Sequence, residues 1–250
     1  MVNSLAFITG TSSGIGLALA RQLLASGWRV AGLSRRPSPI DHPQYRHIEL
    51  DLADLDGLAR ELPPFLEPLV AEQAWGTIAL VNNAAAPGGF GGVESISPEE
   101  IQHALAVDCQ APIWLMGLVS RLTPAGTRLR IVNISSGAAH GGYPGLSLYG
   151  ASKAALRIAG QSLAAEWDSA ERPGGKRPST AILSYEPGVV DTEIQTYART
   201  RPESEFPWVQ MFRDFEAQGR LVSPEQVIGP VIAFVESPRV HGWREKRYSG

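Results

Sequence analysis

The sequence predicts an α/β fold, built as one doubly wound parallel sheet with helices on both faces. Short apolar runs alternate with longer segments of helical period, and a glycine-rich turn follows the first run. The chain has 250 residues, of which 44% are hydrophobic and 19% charged, as is typical of one globular unit. We therefore expect a single domain over residues 1–250.

The individual elements follow from this alternation. The strand candidates are rich in Val, Ile and Leu and cover residues 5–9, 29–34, 46–50, 77–82, 130–135 and 180–185. The helix candidates cover residues 14–26, 54–66, 98–122, 148–168 and 224–236. Residues 244–248 are a candidate for a seventh strand at the sheet edge. Since strands and helices alternate, the strands are expected to be parallel and joined by crossover helices.

Composition limits the classes of partner and compartment. The formal net charge of −3 gives no electrostatic attraction to nucleic acid or to an anionic membrane. A lone cysteine, Cys109, excludes intrachain disulfides and thiolate metal clusters, which favours a reducing compartment and no metal site. The apolar run from Leu5 is interrupted by glycines before a signal peptide or membrane span is complete. We expect a cytoplasmic protein with a small-molecule partner.

The turn after the first strand candidate has the pattern of a phosphate site. Gly10 permits a tight turn, Gly14 lets the backbone approach a pyrophosphate, and Gly16 allows helix and strand to pack closely. Free amides at the helix start attract the anion. This context favours a Rossmann-type dinucleotide site over a glycine-rich turn without a ligand. The residues assigned to it are Gly10, Ser12, Ser13, Gly14, Ile15 and Gly16.

The end of the second strand candidate indicates which dinucleotide is bound. Ser34 stands where an NAD-specific site usually has an acidic residue for the ribose 2′-hydroxyl. Without that carboxylate nothing repels a 2′-phosphate, and Arg35 or Arg36 can bind it through charge-assisted hydrogen bonds. The alternative is that both arginines are solvated loop residues. We expect NADP(H) to be the cofactor.

Three side chains form a candidate catalytic group. Ser136 follows the strand candidate 130–135, at the edge where open α/β sheets bind ligands. Tyr149 opens the next helix, and Lys153 follows one turn later on the same face, where an ammonium favours the anionic form of a phenol. We expect Tyr149 to donate a proton to a carbonyl oxygen that Ser136 holds, and Lys153 also to bond the nicotinamide ribose. The alternative is an interface tyrosine beside a surface lysine.

The motifs together resemble one protein family. In chain order they are Thr9-Gly10 with Gly14-Ile15-Gly16, Asn82-Asn83-Ala84, Asn133-Ile134-Ser135-Ser136, Tyr149 with Lys153, and Pro187-Gly188-Val189-Val190-Asp191-Thr192. This series resembles the classical short-chain dehydrogenase/reductase family over essentially the whole chain. Segments 184–195 and 219–226 resemble its sepiapterin reductase and benzil reductase branch.

The resemblance implies further site residues. Asp108 stands where the family usually has an asparagine that binds water in a proton relay. The residues implied for the cofactor are Asp51, Leu52, Asn83 and Ala84 around the adenine, and Pro187, Gly188, Val190 and Thr192 around the nicotinamide carboxamide and the phosphates.

The resemblance also implies an activity and an assembly. The expected reaction is NADPH-dependent reduction of a ketone or dicarbonyl, such as a pterin side chain or an aromatic diketone. A 3-oxoacyl reductase or an alcohol dehydrogenase of the same family stays open, as does an NADP-sensing regulator without turnover. Helices 98–122 and 148–168 pair across a two-fold axis in relatives, so we expect a homodimer.

Aromatic residues are concentrated after the last motif. They are Tyr197, Phe206, Trp208, Phe212 and Phe215, and Met211 lies beside them in the sequence. Trp208, Phe212 and Phe215 share one face of a helix, and this face either packs permanently on the sheet edge or closes over the substrate. We expect a substrate lid at about 193–220. Further pocket candidates are Tyr143, Leu146 and Tyr185.

Overall fold

The computed structural model describes residues 3–177 and 179–249, whose centre is one parallel sheet. Seven strands lie in the order β3-β2-β1-β4-β5-β6-β7, and each neighbouring pair is parallel. The strands are β1 (Ser4–Thr9), β2 (Arg29–Ser34), β3 (Tyr45–Glu49), β4 (Thr77–Asn82), β5 (Arg128–Ile134), β6 (Thr180–Glu186) and β7 (Gly242–Arg247). The predicted fold class and the seventh edge strand are confirmed.

Helices cover both faces of the sheet. They are α1 (Gly14–Ala25), α2 (Leu55–Glu61), α3 (Pro63–Ala71), α4 (Pro98–Leu105), α5 (Ala111–Leu122), α6 (Ser147–Asp168), α7 (Glu193–Thr200), α8 (Val209–Ala217), α9 (Pro224–Val227) and α10 (Gly229–Glu236). Successive residues of β1 point to opposite faces, so Leu5 packs in the core under α2–α6, whereas Ala6 packs in the core under α1, α9 and α10.

Several predicted helices are interrupted. The helix expected at 54–66 ends at Glu61, because Pro63 has no amide hydrogen to continue the ladder and starts α3 instead. The helix expected at 98–122 contains a π turn, Ala106–Gln110, between α4 and α5. The helix expected at 224–236 is divided into α9 and α10. Apolar periodicity locates these segments, but it does not reveal such local breaks.

The strand order places a crevice at the carboxyl ends of β1 and β4. From β1 the chain proceeds outward through β2 and β3, and it returns to the other side of β1 as β4. The connections after β1 and β4 therefore diverge to opposite sides of the sheet. Open α/β sheets bind ligands at such a switch point. Among the described residues, no helix is both long and apolar enough to cross a membrane.

The close packing of α1 on β1 requires a glycine at position 16. A Cβ there would lie well inside 3.0 Å of the Gly10 carbonyl oxygen and of Asn83 Nδ2, and neither atom is the end of a flexible side chain in open space. We predict that Gly16→Ala lowers the free energy of unfolding by about 1–3 kcal/mol, as overpacking does. Urea denaturation measures it.

Gly229→Ala is the matched control, because a Cβ at this exposed glycine meets nothing within 4 Å. An equal loss of stability in both variants would contradict the packing explanation.

Candidate active site

A cleft with a cavity volume of about 410 Å³ lies at the switch point between β1 and β4. Its lining includes the following residues that the sequence analysis assigned: Gly10, Ser12, Ser13, Gly14, Ile15, Ser34, Arg35, Arg36, Asp51, Leu52, Asn83, Ala84, Ser136, Tyr149, Lys153, Pro187, Gly188, Val190 and Thr192. Gly16 and Asp108 lie behind this lining. Residues at the ends of β2 and β5, residues that follow β1, β4 and β6, and residues of α1 and α6 thus meet in one cleft.

The lining also contains residues that the sequence analysis missed. They are Leu33, Leu50, Ala85, Ala86, Pro87, His103, Val107, Ile134, Ser135, Glu193, Ile194 and Gln195. Most are apolar neighbours of assigned residues and carry no chemical signal of their own. Within the part of the chain that the structure describes, Ser135 Oγ and Gln195 Oε1 are buried without a hydrogen-bond partner. Both oxygens belong to residues of the cleft wall and have unused hydrogen-bonding capacity.

The glycine turn has the backbone shape that an anion site requires. Gly10 has φ +74° and Gly14 has φ +57°, a region that side chains disfavour. α1 begins at Gly14, so its first amide groups face the cleft that Ser13 and Gly14 line. The turn therefore fits the pyrophosphate of a dinucleotide.

A hydrogen-bond network fixes this turn against the end of β4. The Thr9 hydroxyl oxygen accepts from the backbone amides of Asn83 at 2.9 Å and Ala84 at 3.0 Å. The Asn83 side-chain amide donates back to the carbonyl oxygens of Thr9 at 2.9 Å and Gly10 at 3.3 Å. Asn83, which resemblance assigns to the adenine, thus also braces the phosphate turn.

Arg36 crosses the mouth of the cleft. Its Nη2 lies 2.7 and 2.8 Å from the two carboxylate oxygens of Glu193 and 3.4 Å from the hydroxyls of Ser12 and Ser13. The side chains of Arg36 and Glu193 are 59% and 60% exposed, so water weakens this pair. Ser34 is buried, and its hydroxyl donates to the Arg36 carbonyl oxygen at 2.9 Å. Arg36 is therefore a cation at the cleft mouth that a stronger anion can attract.

The candidate catalytic side chains come from β5 and α6. Ser136 follows β5, and its hydroxyl accepts from the Ala138 amide at 3.2 Å. Tyr149 lies in the first turn of α6, and the buried Lys153 Nζ lies 5.7 Å from the centre of the Tyr149 ring. The start of α6 packs tightly on the loop after Ser136, because a Cβ at Gly150 would lie 2.8 Å from the Ala138 carbonyl oxygen. This packing holds the loop and the helix together.

Asp108 lies in the π turn and is 2% exposed. One carboxylate oxygen accepts from the Ala86 amide at 2.8 Å, which ties the π turn to the cleft-lining segment after β4. Burial raises the pKa of Asp108 above its usual range, while the Lys153 ammonium and the Ala86 amide oppose this rise. The carboxylate form of Asp108 and the Lys153 ammonium therefore stabilise each other electrostatically.

An aromatic cluster lies on the other side of Tyr149. Phe90, Phe206, Val209 and Phe212 are buried in it, and Tyr149 and Tyr197 pack against it. Phe90 precedes α4 in a glycine-rich segment and had no role in the sequence analysis. The expected aromatic face of α8 is only partly covered, since Trp208 and Met211 are 41% and 39% exposed.

Two of the further pocket candidates, Tyr185 and Tyr143, do not line the cleft. Tyr185 is fully buried and donates to the Val227 carbonyl oxygen at 2.6 Å, so it belongs to the core between β6 and α9. Tyr143 is 49% exposed and lines a separate surface groove with Leu146. The side chain of Leu146 also packs in the aromatic cluster.

Comparison with known proteins identifies the family. A sequence profile described as short chain dehydrogenase matches residues 4–203. The chain belongs to the short-chain dehydrogenase family. It is therefore an oxidoreductase with a site for a nicotinamide cofactor, and the resemblance stated from its motifs is confirmed.

Relatives of this short-chain dehydrogenase include two bacterial enzymes named benzil reductase ((S)-benzoin forming). The Bacillus subtilis enzyme is 30% identical over 94% of both chains, and the Bacillus cereus enzyme is 29% identical over 92% of this chain and 93% of its own. The expected likeness to the benzil reductase branch is therefore confirmed.

Solved structures share the fold. A short-chain dehydrogenase/reductase from Burkholderia vietnamiensis has a TM-score of 0.67 and 30% identity, with 76% of this chain and 85% of its own covered. One from Saccharomyces cerevisiae has a TM-score of 0.80 and 20% identity, with 99% and 96% covered. The second likeness concerns the fold alone.

The burial of Asp108 in this short-chain dehydrogenase predicts a pH-dependent stability. The folded chain binds the Asp108 proton more tightly than the unfolded chain does, so protonation of Asp108 stabilises the fold. This stabilisation is fully present below the ordinary pKa of an aspartate, and it is lost as the pH rises through the raised pKa of the folded chain. Asp108→Asn removes this loss, and its amide oxygen can still accept from Ala86. We expect the wild type to lose stability relative to Asp108→Asn as the pH rises above about 4, the ordinary pKa of an aspartate.

Urea denaturation at several pH values measures this difference. Asp41→Asn, in an exposed loop, is the matched control. A stability difference between wild type and Asp108→Asn that is the same at every pH would contradict the prediction.

Proposed function

We propose that this short-chain dehydrogenase is an NADPH-dependent carbonyl reductase that transfers hydride to a ketone or dicarbonyl, with Tyr149 as the general acid. The observation that supports it is the position of Ser136, Tyr149 and Lys153 in one cleft with the glycine turn. A phenol, an ammonium and a hydroxyl beside a dinucleotide site are suited to carbonyl reduction.

The chain's own residues fit the cofactor. The α1 amides and the turn at Gly10 and Gly14 suit the pyrophosphate, and the lining around Pro187 and Thr192 suits the nicotinamide end. The unpartnered oxygens of Ser135 and Gln195 can accept hydrogen bonds there. When bound, NADPH supplies the hydride for the reduction.

The catalytic side chains divide the work on the carbonyl oxygen. The Ser136 hydroxyl donates a hydrogen bond that orients this oxygen, and the Tyr149 hydroxyl donates the proton that completes the alcohol. The Lys153 ammonium stabilises the negative charge left on the phenol oxygen. Lys153 is 3% exposed, so little water screens its charge from the ring beside it.

The proposed preference for NADPH depends on the end of β2. Ser34 carries no charge that repels a 2′-phosphate, and Arg35 and Arg36 both line the cleft. Glu193 neutralises Arg36 in the absence of that phosphate. A 2′-phosphate carries more negative charge than one carboxylate and displaces it from the guanidinium.

The proposed substrate class is a ketone or dicarbonyl. The relatives named benzil reductase support it, since they align over almost the whole chain. NADPH consumption is to be measured against α-diketones, aromatic ketones, pterins and acyl thioesters. Turnover of acyl thioesters alone would favour a 3-oxoacyl reductase, and NADPH binding without any turnover would favour a regulator.

The homodimer, the substrate lid and the cytoplasmic location remain predictions. Ile113 on α5 and Ile158 on α6 are 41% and 54% exposed, which favours the expected homodimer through these helices. Sedimentation equilibrium that gives the monomer mass at working concentration would end that expectation. Residues 193–220 contain α7 and α8, and we retain them as the proposed lid.

Tyr149→Phe tests the general acid. The variant lacks the proton donor but keeps the ring, so kcat should fall by roughly 100-fold or more while NADPH affinity is unchanged. Steady-state kinetics and fluorescence titration measure these two quantities. Tyr248→Phe, which packs on the core under α1, is the control. A kcat for Tyr149→Phe equal to that of the wild type would remove the acid from the proposal.

Arg35→Ala and Arg36→Ala test the cofactor preference. Loss of a charge-assisted bond to the 2′-phosphate should raise the Kd for NADPH by about tenfold to 100-fold and leave the Kd for NADH nearly unchanged. Arg21→Ala, an exposed arginine on α1, controls for the change in net charge. If the Kd for NADPH and the Kd for NADH rise by the same factor, the two arginines are ordinary solvated residues.

A further inference from the structure

Phe90 is carried by an unusual segment of backbone. It stands alone between two pairs of glycines, Gly88-Gly89 and Gly91-Gly92. Gly88, Gly89 and Gly91 have φ of +154°, +72° and +153°, a region that L side chains rarely adopt. Because glycine has many accessible backbone conformations, these residues can act as a hinge for one aromatic ring.

The Phe90 ring is nevertheless buried, with 3% of the residue exposed. It stacks on Tyr149 at 5.6 Å and 24°, and it meets Phe212 edge-on at 5.8 Å and 82°. Its ring centre also lies 6.0 Å from that of Phe206 and 6.1 Å from that of Tyr197. We call Tyr149, Tyr197, Phe206 and Phe212 the aryl cage. The cage holds one benzene ring in the stacked and edge-on geometries that aromatic pairs prefer.

The aryl cage adjoins the proposed site of reduction through Tyr149. The Tyr149 ring lines the cofactor cleft and also stacks on Phe90. α7 likewise serves both sides, since Ile194 lines the cleft and Tyr197 belongs to the cage. A carbonyl held at the Tyr149 hydroxyl therefore lies beside the aryl cage, whose interior the Phe90 ring occupies.

Two backbone hydrogen bonds hold the hinge in place. The Gly91 amide donates to the Gly145 carbonyl oxygen at 2.9 Å, and the Gly92 amide donates to the Glu205 carbonyl oxygen at 3.4 Å. Both acceptors lie in loops, before α6 and before α8. Withdrawal of Phe90 thus breaks few bonds, and the second one is long.

We propose that the aryl cage is a binding site for the aryl group of an aromatic carbonyl substrate, with Phe90 as its resident occupant. The proposal deepens the proposed reductase function and rests on it for the substrate's carbonyl group. An aryl group that enters the cage replaces every ring contact that Phe90 leaves. A small aliphatic ketone makes no such contacts, so the cage selects aromatic over aliphatic substrates.

The first test compares two diketones as substrates of Phe90→Ala. They are 1-phenyl-1,2-propanedione, which has an aryl group, and 2,3-butanedione, which has none. The variant has no ring to displace, so its KM for the phenyl diketone should fall by about tenfold, as expected when an apolar cavity accepts a benzene ring. The KM for butanedione should be unchanged. A higher KM for the phenyl diketone, or an equal change for both diketones, would overturn the proposal.

Phe234→Ala is the matched control, because Phe234 is 7% exposed and lies in the core on the other face of the sheet. It removes the same side chain from a buried position and should leave the ratio of the two KM values unchanged. A similar change of this ratio in both variants counts against a specific role of Phe90.

Toluene binding separates this proposal from the proposed function. Toluene should raise the Tm of Phe90→Ala more than that of the wild type, in which the Phe90 ring competes for the cage, whether or not the protein reduces any carbonyl. If the Tm of Phe90→Ala rises but no carbonyl is reduced, the reductase proposal fails and the cage stands. If carbonyls are reduced but toluene leaves Phe90→Ala unchanged, the cage proposal fails.

A measurement on the wild type covers the case in which Phe90→Ala does not fold. The protein is labelled with 4-fluorophenylalanine, and the Phe90 resonance is identified by its loss in Phe90→Leu. In the presence of NADP⁺, 1-phenyl-1,2-propanedione should shift this resonance and 2,3-butanedione should not. A Phe90 resonance that stays in place at saturating phenyl diketone would overturn the displacement.

Discussion

The structure depends on the hydrogen bonds that join the ends of β1 and β4. These strands are neighbours in the sheet, yet the segments that follow them diverge, so their ends would separate without a brace. Thr9 and Asn83 provide it, since each accepts or donates bonds across the gap with both backbone and side chain. The same bonds set the shape of the glycine turn, and that turn positions α1 with its amides toward the cleft. The phosphate site thus follows from the way two strand ends are held together.

Tyr149 connects two environments of opposite character. On one side lies the polar cleft with Lys153 and Ser136, and on the other lies the aromatic cluster around Phe90. A short helix start that packs on the Ser136 loop holds the ring between them. This position allows the phenol of Tyr149 to contact both a charged cofactor and an apolar substrate. It also explains why the first turn of α6 is tightly packed.

The sequence predicted the sheet, the seventh strand and the residues that meet in the cleft, because these follow from alternation, from glycine requirements and from motif order. It did not predict the breaks at Pro63 and at the π turn, since hydrophobic periodicity continues across both. Glu193 was missed because its partner, Arg36, is distant along the chain. Phe90 was missed for the same reason, as its neighbours come from α6, α7 and α8. Tyr185 was misassigned because burial of a tyrosine depends on one carbonyl acceptor, at Val227, that no pattern reveals.

The π turn between α4 and α5 also fixes how the two helices are rotated relative to each other. One added residue turns the following helix by about 100°, because an α-helix has about 3.6 residues per turn. That rotation lets α5 direct Leu115 and Val119 to the sheet while Asp108 stays beneath α6. Deletion of a single residue there would rotate the apolar face of α5 toward solvent. It would also move the Asp108 carboxyl group away from the Lys153 ammonium. The number of residues in this stretch is therefore constrained.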